Sequence, residues 1–398
     1  MNDCKSRSIK LHKELRGKIE VTSRVSIDSM DDLSVAYSPG VAEPCLEIQK
    51  DVDKSYLYTR RHNLIAVVTD GSAVLGLGDI GPEAAMPVIE GKALLFKQLG
   101  GVDAVPLCLR TQDTEEIVRS ISLLAGSFGG INLEDIAAPR CFEIERRLKQ
   151  ICDIPIFHDD QHGTAIVVGA ALVNALKLVN KSIDTIRVVI NGAGAAGIAI
   201  ANYLLDFGVN DMIVCDRFGI LSRDDESLSP AHLRLARNTN QGLLKGSLDA
   251  ALKNADVFIG VSAPNVVSKS MIESMSDKPI VFPLANPDPE IIPDLALEAG
   301  AYVVGTGSSQ YANQINNVLA FPGVFRGALD ARASDITLEM MMAASEAIAN
   351  YIPEDKLAPE YIIPEPLDRR VHDVVAAAVE KAARASGVAR IEPHPEGN

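Results

Sequence analysis

The sequence predicts an α/β protein in which an N-terminal α/β domain is followed by a doubly wound parallel sheet and by C-terminal helices. Two features carry that expectation. Apolar runs of strand length alternate with longer helix-like segments, which is how parallel strands and their crossover helices read in sequence. The alternation also changes character along the chain: it is loose up to about residue 157 and regular from about residue 186 to 304. We therefore expect an N-terminal domain at residues 1–157, a doubly wound domain at 158–330 and a helical segment at 331–398 that packs back on both. A length of 398 residues accommodates this, at roughly 100–200 residues per domain.

Taken in order, residues 8–20 read as a short polar helix and 26–34 as an acidic, Ser-rich link, closed by the turn cluster Ser38-Pro39-Gly40. Asn63 to Thr69 (NLIAVVT) is a buried-strand candidate and Asp70-Gly71 a turn. Pro82 is expected to open a helix through about Leu99, because proline's missing N–H costs nothing in a first helical turn. A strand at Val102 to Leu109, helices near Thr114 to Leu124 and Asp135 to Ile151, and the run Ile154-Pro155-Ile156-Phe157 complete the first region. Thr164 to Val179 is Ala/Val/Leu-rich and long enough for a buried helix. Strands are then expected at 186–190, 212–216, 256–260, 280–284 and 302–304, alternating with helices near 195–207, 230–238 and 268–275. After Pro322 the chain is Ala-rich, with helices expected at 338–350 and 367–386.

Lys and Arg number 38 against 53 Asp and Glu, a net charge of −15 that repels phosphate backbones and anionic membranes. Nucleic-acid and membrane partners are not expected, and no apolar stretch is expected to reach the ~18 residues of a membrane span. Six scattered cysteines form no C-x-x-C and read as reduced thiols. With an N-terminus that lacks the apolar core of a signal peptide, they point to the cytoplasm. The substrates of such an acidic protein should be small molecules.

The pattern G-x-G-x-x-G occurs twice, at Gly76 to Gly81 and at Gly192 to Gly197. Dinucleotide binding requires a strand before it, a helix N-terminus after it to receive the pyrophosphate, and an acidic residue at the end of the next strand for the ribose 2′-hydroxyl. Only the second set meets all of these. IRVVI precedes it, Ala195, Ala196 and Gly197 open a helix continued by IAIANYLL, and Met212-Ile213-Val214-Cys215 ends in Asp216. We therefore assign Gly192, Gly194, Ala195, Ala196, Gly197 and Asp216 to an NAD site in a Rossmann-type domain, and read Gly76 to Gly81 as a turn permitting close backbone approach. Asp216 should repel the 2′-phosphate of NADP, although Arg217, next along, keeps NADP possible.

Several residues could carry chemistry. Lys92 lies at the centre of an apolar stripe formed by Val88, Ile89, Leu95, Phe96 and Leu99, whereas Lys97 faces away. It is either a stem that snorkels to the surface or an interior lysine whose pKa burial and a nearby cation lower toward that of a general base. Tyr37 could cap its turn or act as an acid. Glu134-Asp135 could form the first turn of a helix capped by Asn132, or present two carboxylates to one ion from a loop. His158-Asp159-Asp160-Gln161-His162 could hold zinc through its histidines or a hard cation through its carboxylates.

The motifs SVAYSPGVAEPC, TDGSAVLGLGDIGP, EGKALLFK, NLEDIAAPR, FHDDQHGTA, LANPDPE and QINNVLAFPGVFRGAL make the chain resemble the malic enzymes in their short bacterial form, in register over about residues 35–330. The resemblance implies oxidative decarboxylation of L-malate to pyruvate and CO2 with NAD, or NADP, assisted by Mn2+ or Mg2+. It implies Lys92 as base toward the C2 hydroxyl and Tyr37 as acid toward C3 of enolpyruvate. It also implies Glu134, Asp135 and Asp160 as metal ligands with catalytic Asp159 beside them. Asn286 and Asn317 would be amide donors to substrate, Asn286 also serving the cofactor, and His158 and His162 would be structural. Longer, eukaryotic-type relatives carry a substrate-binding arginine where this chain has Ala73, so Arg60, Arg61 or a group from another subunit is expected to replace it. A homodimer is implied as well. Oxaloacetate decarboxylation or conversion of malate to lactate would use the same residues. A catalytically inactive nicotinamide-sensing module is the reading from a different class, and the joint retention of Tyr37, Lys92, Glu134, Asp135 and Asp160 speaks against it.

Overall fold

The structure is a computed structural model and describes residues 2–74 and 76–392. Two sheets carry the fold. The first contains β1 (Leu64–Thr69), β2 (Asp103–Cys108), β3 (Gly130–Leu133) and β4 (Ile156–His158), all parallel in the order β2-β1-β3-β4. The second contains β5 (Arg187–Asn191), β6 (Asp211–Asp216), β7 (Gly219–Ile220), β8 (Val257–Gly260), β9 (Ile280–Pro283) and β10 (Val303–Val304) in the order β10-β9-β8-β5-β6-β7. Only β7 runs antiparallel, a short edge strand that the sequence reading did not include. Parallel strands covered on both faces read as unbroken apolar runs, and the burial shows why. Ile65 and Val67 of β1 face one core while Ala66 and Val68 face another; Val188 and Ile190 of β5 are likewise divided from Val189.

In the second sheet the chain runs outward from β5 to β6 on one side and to β8 on the other. Loops leaving neighbouring strands in opposite directions open a crevice at the strand C-termini, the usual ligand position in doubly wound sheets. The second glycine fingerprint, Asp216 and Ser262 lie at or just past the C-terminal ends of β5, β6 and β8.

Elsewhere the structure departs from expectation in ways that matter for the site. The segment read as a link contains the Met30–Ala36 helix, capped by Ser29, whose hydroxyl accepts from Asp32 N at 3.1 Å, and the Ala42–Lys50 helix follows. The expected helix at Asp135 begins only at Arg140, because Asp135 has φ +54° and cannot continue a right-handed turn. The buried helix expected from Thr164 begins at Asp159, so both aspartates lie in its first turn. At 21 residues, Asp159–Val179 is one helix long and apolar enough to cross a membrane by length and composition, contrary to the expectation of none, yet it is a core helix, mostly buried.

A helix not anticipated, Phe321–Asp330, joins the two halves. Its Phe321 and Phe325 rings pack on Phe96 from the first region at 4.7 and 5.3 Å between centroids, and Phe325 meets Phe157 of β4 at 5.9 Å. Its other side lies against the Arg369–Ala385 helix. Gly323 and Gly327 permit the approach: a Cβ at Gly327 would strike the Ala376 carbonyl and lie 2.8 Å from Val379 Cβ. Gly327→Ala should therefore cost about 1–3 kcal/mol, read as a lower urea midpoint. Gly126→Ala, with open space around its Cβ position, should leave the midpoint in place.

Candidate active site

Lys92 lies on the inner face of the Pro82–Gly100 helix with Ile89, Ala93 and Phe96, while Val88 proves largely exposed and outside that stripe. Lys97 points outward and pairs with Asp103 at 2.6 Å. Lys92 does not snorkel. It is 8% exposed, its Nζ lies 4.0 Å from the Phe321 ring centroid and 2.9 Å from Glu134 Oε1, and it donates to Asp159 Oδ2. The expected fall in its pKa is reversed. Burial alone would lower it, but the carboxylates of Asp159 and Glu134, then Asp160, outweigh burial and hold the ammonium charged above the ordinary lysine range. The expectation assumed a cation nearby; carboxylates are there instead.

Those carboxylates come from two chain segments. β3 ends at Leu133, and Asn132 lies within the strand rather than at a helix N-cap; its Nδ2 donates to Glu134 Oε2 at 2.8 Å. Glu134 and Asp135 thus project from a strand end, and the left-handed backbone at Asp135 is what lets adjacent residues share one locus. Asp160 reaches them from the Asp159–Val179 helix, its Oδ2 accepting from Asp135 N at 2.8 Å. One oxygen from each of Glu134, Asp135 and Asp160 falls within 4.8 Å of the others. Burial raises the pKa of Glu134, Asp159 and Asp160. A compact set of hard oxygen donors, short of positive charge, fits Mg2+ or Mn2+.

The zinc alternative fails on geometry. His162 Nε2 is engaged by both oxygens of Glu145, at 2.8 and 2.9 Å. His158 is fully buried, burial pushes its pKa down to about 4, and its Nε2 stands 3.8 Å from Asp160 Oδ2. The sequence reading missed Glu145. Burial alone would raise its carboxyl, but the His162 imidazole outweighs that and holds it at about 2. It also accepts from His158 N at 3.3 Å and Gln161 Nε2 at 3.4 Å, so it anchors the helix turn that presents Asp159 and Asp160. Gly163 was missed too: a Cβ there would collide with Asp159 Oδ1 and lie 3.2 Å from Asn317 Cβ. A glutamate spaced one helical turn from nothing in particular gave no signal, whereas a glycine inside an otherwise Ala/Val-rich helix was a visible one.

Asn317 joins the cluster, Nδ2 donating to Asp159 Oδ2 at 2.5 Å. Asn286 is on the loop after β9, and its neighbour Pro287 lies against the Gly76 turn, 3.7 Å from where a Cβ would be. That turn closes on itself through Val74 and Gly78, which exchange backbone bonds of 2.9 and 2.8 Å; Gly76, Gly78 and Gly81 have φ of +74°, +75° and +79° and no backbone packed closely against them, so glycine serves the turn's left-handed conformation rather than the close approach expected. Arg60 is paired with Asp103, and Arg61 bonds Phe128 O at 3.2 Å and Ser55 Oγ at 3.1 Å, so both proposed substitutes for an arginine at Ala73 are committed to structural contacts. Arg140 does reach this loop, but its charge is answered by buried Asp70 at 2.9 Å. Tyr37 is not brought to the cluster. It ends the Met30–Ala36 helix with its side chain 67% exposed, and no hydrogen bond among the described residues joins it to Lys92 or the acids.

Gly192, Ala193 and Gly194 of the second fingerprint line a cleft of about 940 Å3 together with Asp216, His232, Ser262 and Val266, while Ala195, Ala196 and Gly197 lie behind that lining. Gly192 has φ +116°, and a Cβ at Gly197 would strike the Gly192 carbonyl, so strand and helix can meet this closely only with glycine at both positions. Ala195 and Ala196 begin the Ala195–Asp206 helix directly after Gly194, its N-cap residue, which itself lines the cleft. Asp216 Oδ1 accepts from Phe218 N at 2.8 Å, and Arg217 stacks on Phe218 at 4.7 Å.

Comparison with known proteins agrees with this arrangement along the chain. Residues 16–149 match the malic enzyme N-terminal domain and residues 161–384 the malic enzyme NAD binding domain. A bifunctional malic/malolactic enzyme of Bacillus subtilis (strain 168) is 56% identical over 390 residues, covering 98% of this chain and 95% of its own. An NAD-dependent malic enzyme of Geobacillus stearothermophilus is 54% identical over 381 residues, covering 96% of this chain and 80% of its own. The crystal structure of an NAD-dependent malic enzyme from Thermotoga maritima superposes with a TM-score of 0.91 at 50% identity, covering 94% of this chain and 98% of that one. With a lysine and its carboxylates gathered at one sheet, a dinucleotide cleft at the other and these likenesses across both, the chain belongs to the malic enzyme family.

Proposed function

We propose that this chain oxidises and decarboxylates L-malate to pyruvate and CO2, with NAD(P)+ as hydride acceptor and with Mn2+ or Mg2+ held by Glu134, Asp135 and Asp160. The observation that carries this reading is the buried Lys92 ammonium set among Glu134, Asp159 and the metal-type acids. When bound, the cation would draw charge from the C2 oxygen and adjoining carboxylate of malate, and the nucleotide would take the C2 hydrogen with its electron pair. Lys92 takes the C2 hydroxyl proton. To do so it must first be neutral, and positive charge beside Glu134 and Asp160 acts in that direction by offsetting the carboxylates that keep it charged. Asp159, held by Asn317 and given room by Gly163, orients Lys92; its Oδ1 is buried without a partner and is left for a bound group. Asn286 and Asn317 supply amides to the substrate. After CO2 leaves, Tyr37 protonates C3 of the enol.

For that last step Tyr37 must reach Lys92, and we assign it to the assembled protein, read as a homodimer. Among the first sixty residues Leu15, Val21, Val35 and Leu57 are exposed, as Tyr37 is, and exposed apolar side chains of this kind are what a second copy covers. The cytoplasm remains the proposed location, in keeping with six free cysteines. Conversion of malate to lactate is the second reading, favoured by the malolactic activity in the name of the B. subtilis relative.

The assay is absorbance at 340 nm with malate, either nucleotide and Mn2+. Accumulation of NADH with pyruvate is expected, and EDTA should abolish it; lactate without net NADH would support the second reading. Lys92→Ala should lower malate oxidation by about 10²–10⁴-fold. Tyr37→Phe should spare reduction of added oxaloacetate while slowing release of pyruvate, and normal oxaloacetate reduction in Lys92→Ala would remove the lysine from its role. Cofactor choice follows from Asp216: the parent should prefer NAD+ in kcat/KM, and Asp216→Ser should move the ratio toward NADP+ by about tenfold or more. A parent that already prefers NADP+ would remove Asp216 as the discriminator.

A further inference from the structure

One buried carboxylate has no part in the chemistry above. Glu290 closes the LANPDPE motif after β9 and is fully buried, yet no Lys, Arg or His among the described residues pairs with it. Neutral donors from two strand ends meet it instead. Ser262 N and Oγ donate to Oε1 at 2.7 and 2.9 Å, and Ala285 N donates to Oε2 at 3.0 Å. Ser262 follows β8 and Ala285 directly precedes Asn286. Both peptides lie just past the last ladder bonds, Val261 N to Asn191 O at 2.9 Å and Leu284 N to Gly260 O at 2.8 Å.

The network extends to the fingerprint strand. Asn191, the last residue of β5, donates from Nδ2 to the same Ser262 Oγ at 2.8 Å, so polar contacts run from β5 through Ser262 and Glu290 to the residue before Asn286. Gly260 makes the arrangement possible, since a Cβ there would collide with the Glu290 carboxyl. A carboxylate taken out of water without a counter-ion is costly unless several donors converge on it, and here the donors are the Ser262 and Ala285 peptides and the Ser262 hydroxyl, Ser262 itself lining the cleft.

We propose that Glu290 is a positioning residue for malate turnover: it locks the loops after β8 and β9 to each other and so fixes where Asn286 stands. The inference rests on the assignment of Asn286 to the substrate, and the experiment separates the two. Glutamine keeps the shape of Glu290 but offers one accepting oxygen, so at one of the two loops an N–H would face an NH2 group.

In Glu290→Gln, kcat/KM for malate should fall about tenfold or more. NADH affinity without malate, read by fluorescence titration, should fall by less than malate turnover, because Glu290 touches the nucleotide cleft only through Ser262 and not through Gly192 to Gly194. Asn286→Ala should show a comparable loss, and the double variant should be no worse than Asn286→Ala by more than about threefold, as expected if one residue acts through the other. Ser262→Ala removes a single side-chain donor and guards against a glutamine variant that does not fold; it should lower kcat/KM for malate in the same direction at smaller size. The inference is overturned if both single variants at the network match the parent, if the losses of Glu290→Gln and Asn286→Ala multiply, or if NADH affinity falls as far as malate turnover. Normal kinetics in Asn286→Ala overturns the assignment of Asn286 itself, and the inference with it.

Discussion

The contact of the Lys92 ammonium with Asp159 and Glu134 ties together three elements at one point: the Pro82–Gly100 helix, the end of β3 and the first turn of the Asp159–Val179 helix. Charges buried this deeply are tolerated only as a set, since removing one partner leaves the others without compensation in a medium that solvates them poorly. The set is also unbalanced. One lysine faces the acids Glu134, Asp135, Asp159 and Asp160, and burial responds by pushing three of those carboxyls toward their protonated forms. A site short of positive charge and lined with hard oxygens is one a divalent cation completes, and completing it is what would free the lysine to move a proton.

Around this cluster the supporting contacts are steric as much as electrostatic. Gly163 leaves space for Asp159, Glu145 grips the helix turn through His162 and the His158 peptide, and the Phe96, Phe321 and Phe325 rings close the side away from the acids. The Phe321 ring under Lys92 adds the face of an aromatic quadrupole to the ammonium's surroundings. The nucleotide cleft is assembled by a different means, the reversal of strand order at β5, and the Asn286 loop of that half touches the Gly76 turn of the other. The first glycine fingerprint thus has a role, as a left-handed turn whose Gly76 meets Pro287 of the other half.

Lys92 illustrates how far composition and periodicity carry. Its place on an apolar stripe was legible, but the direction of its pKa was not, because that depends on which charges other segments deliver. The sequence suggested a neighbouring cation; the fold delivered Asp159 and Glu134. Asn132 shows the converse error, a residue with capping chemistry that the sheet takes as strand, leaving Glu134 and Asp135 at its end.

By itself the sequence determined the alternation of strands and helices, the dinucleotide fingerprint with Asp216, the family likeness and the inventory of acids and lysine, because each is written in local spacing or in motifs a few residues long. Tertiary structure alone decided which of these meet. It set the left-handed turn at Asp135, the start of the core helix at Asp159, the exposure of Tyr37, the engagement of Arg60 and Arg61 elsewhere and the burial of Glu290 between two loops. The physical reason is that burial and charge compensation are properties of segments distant in sequence, summed where they pack, and no window of local pattern contains that sum.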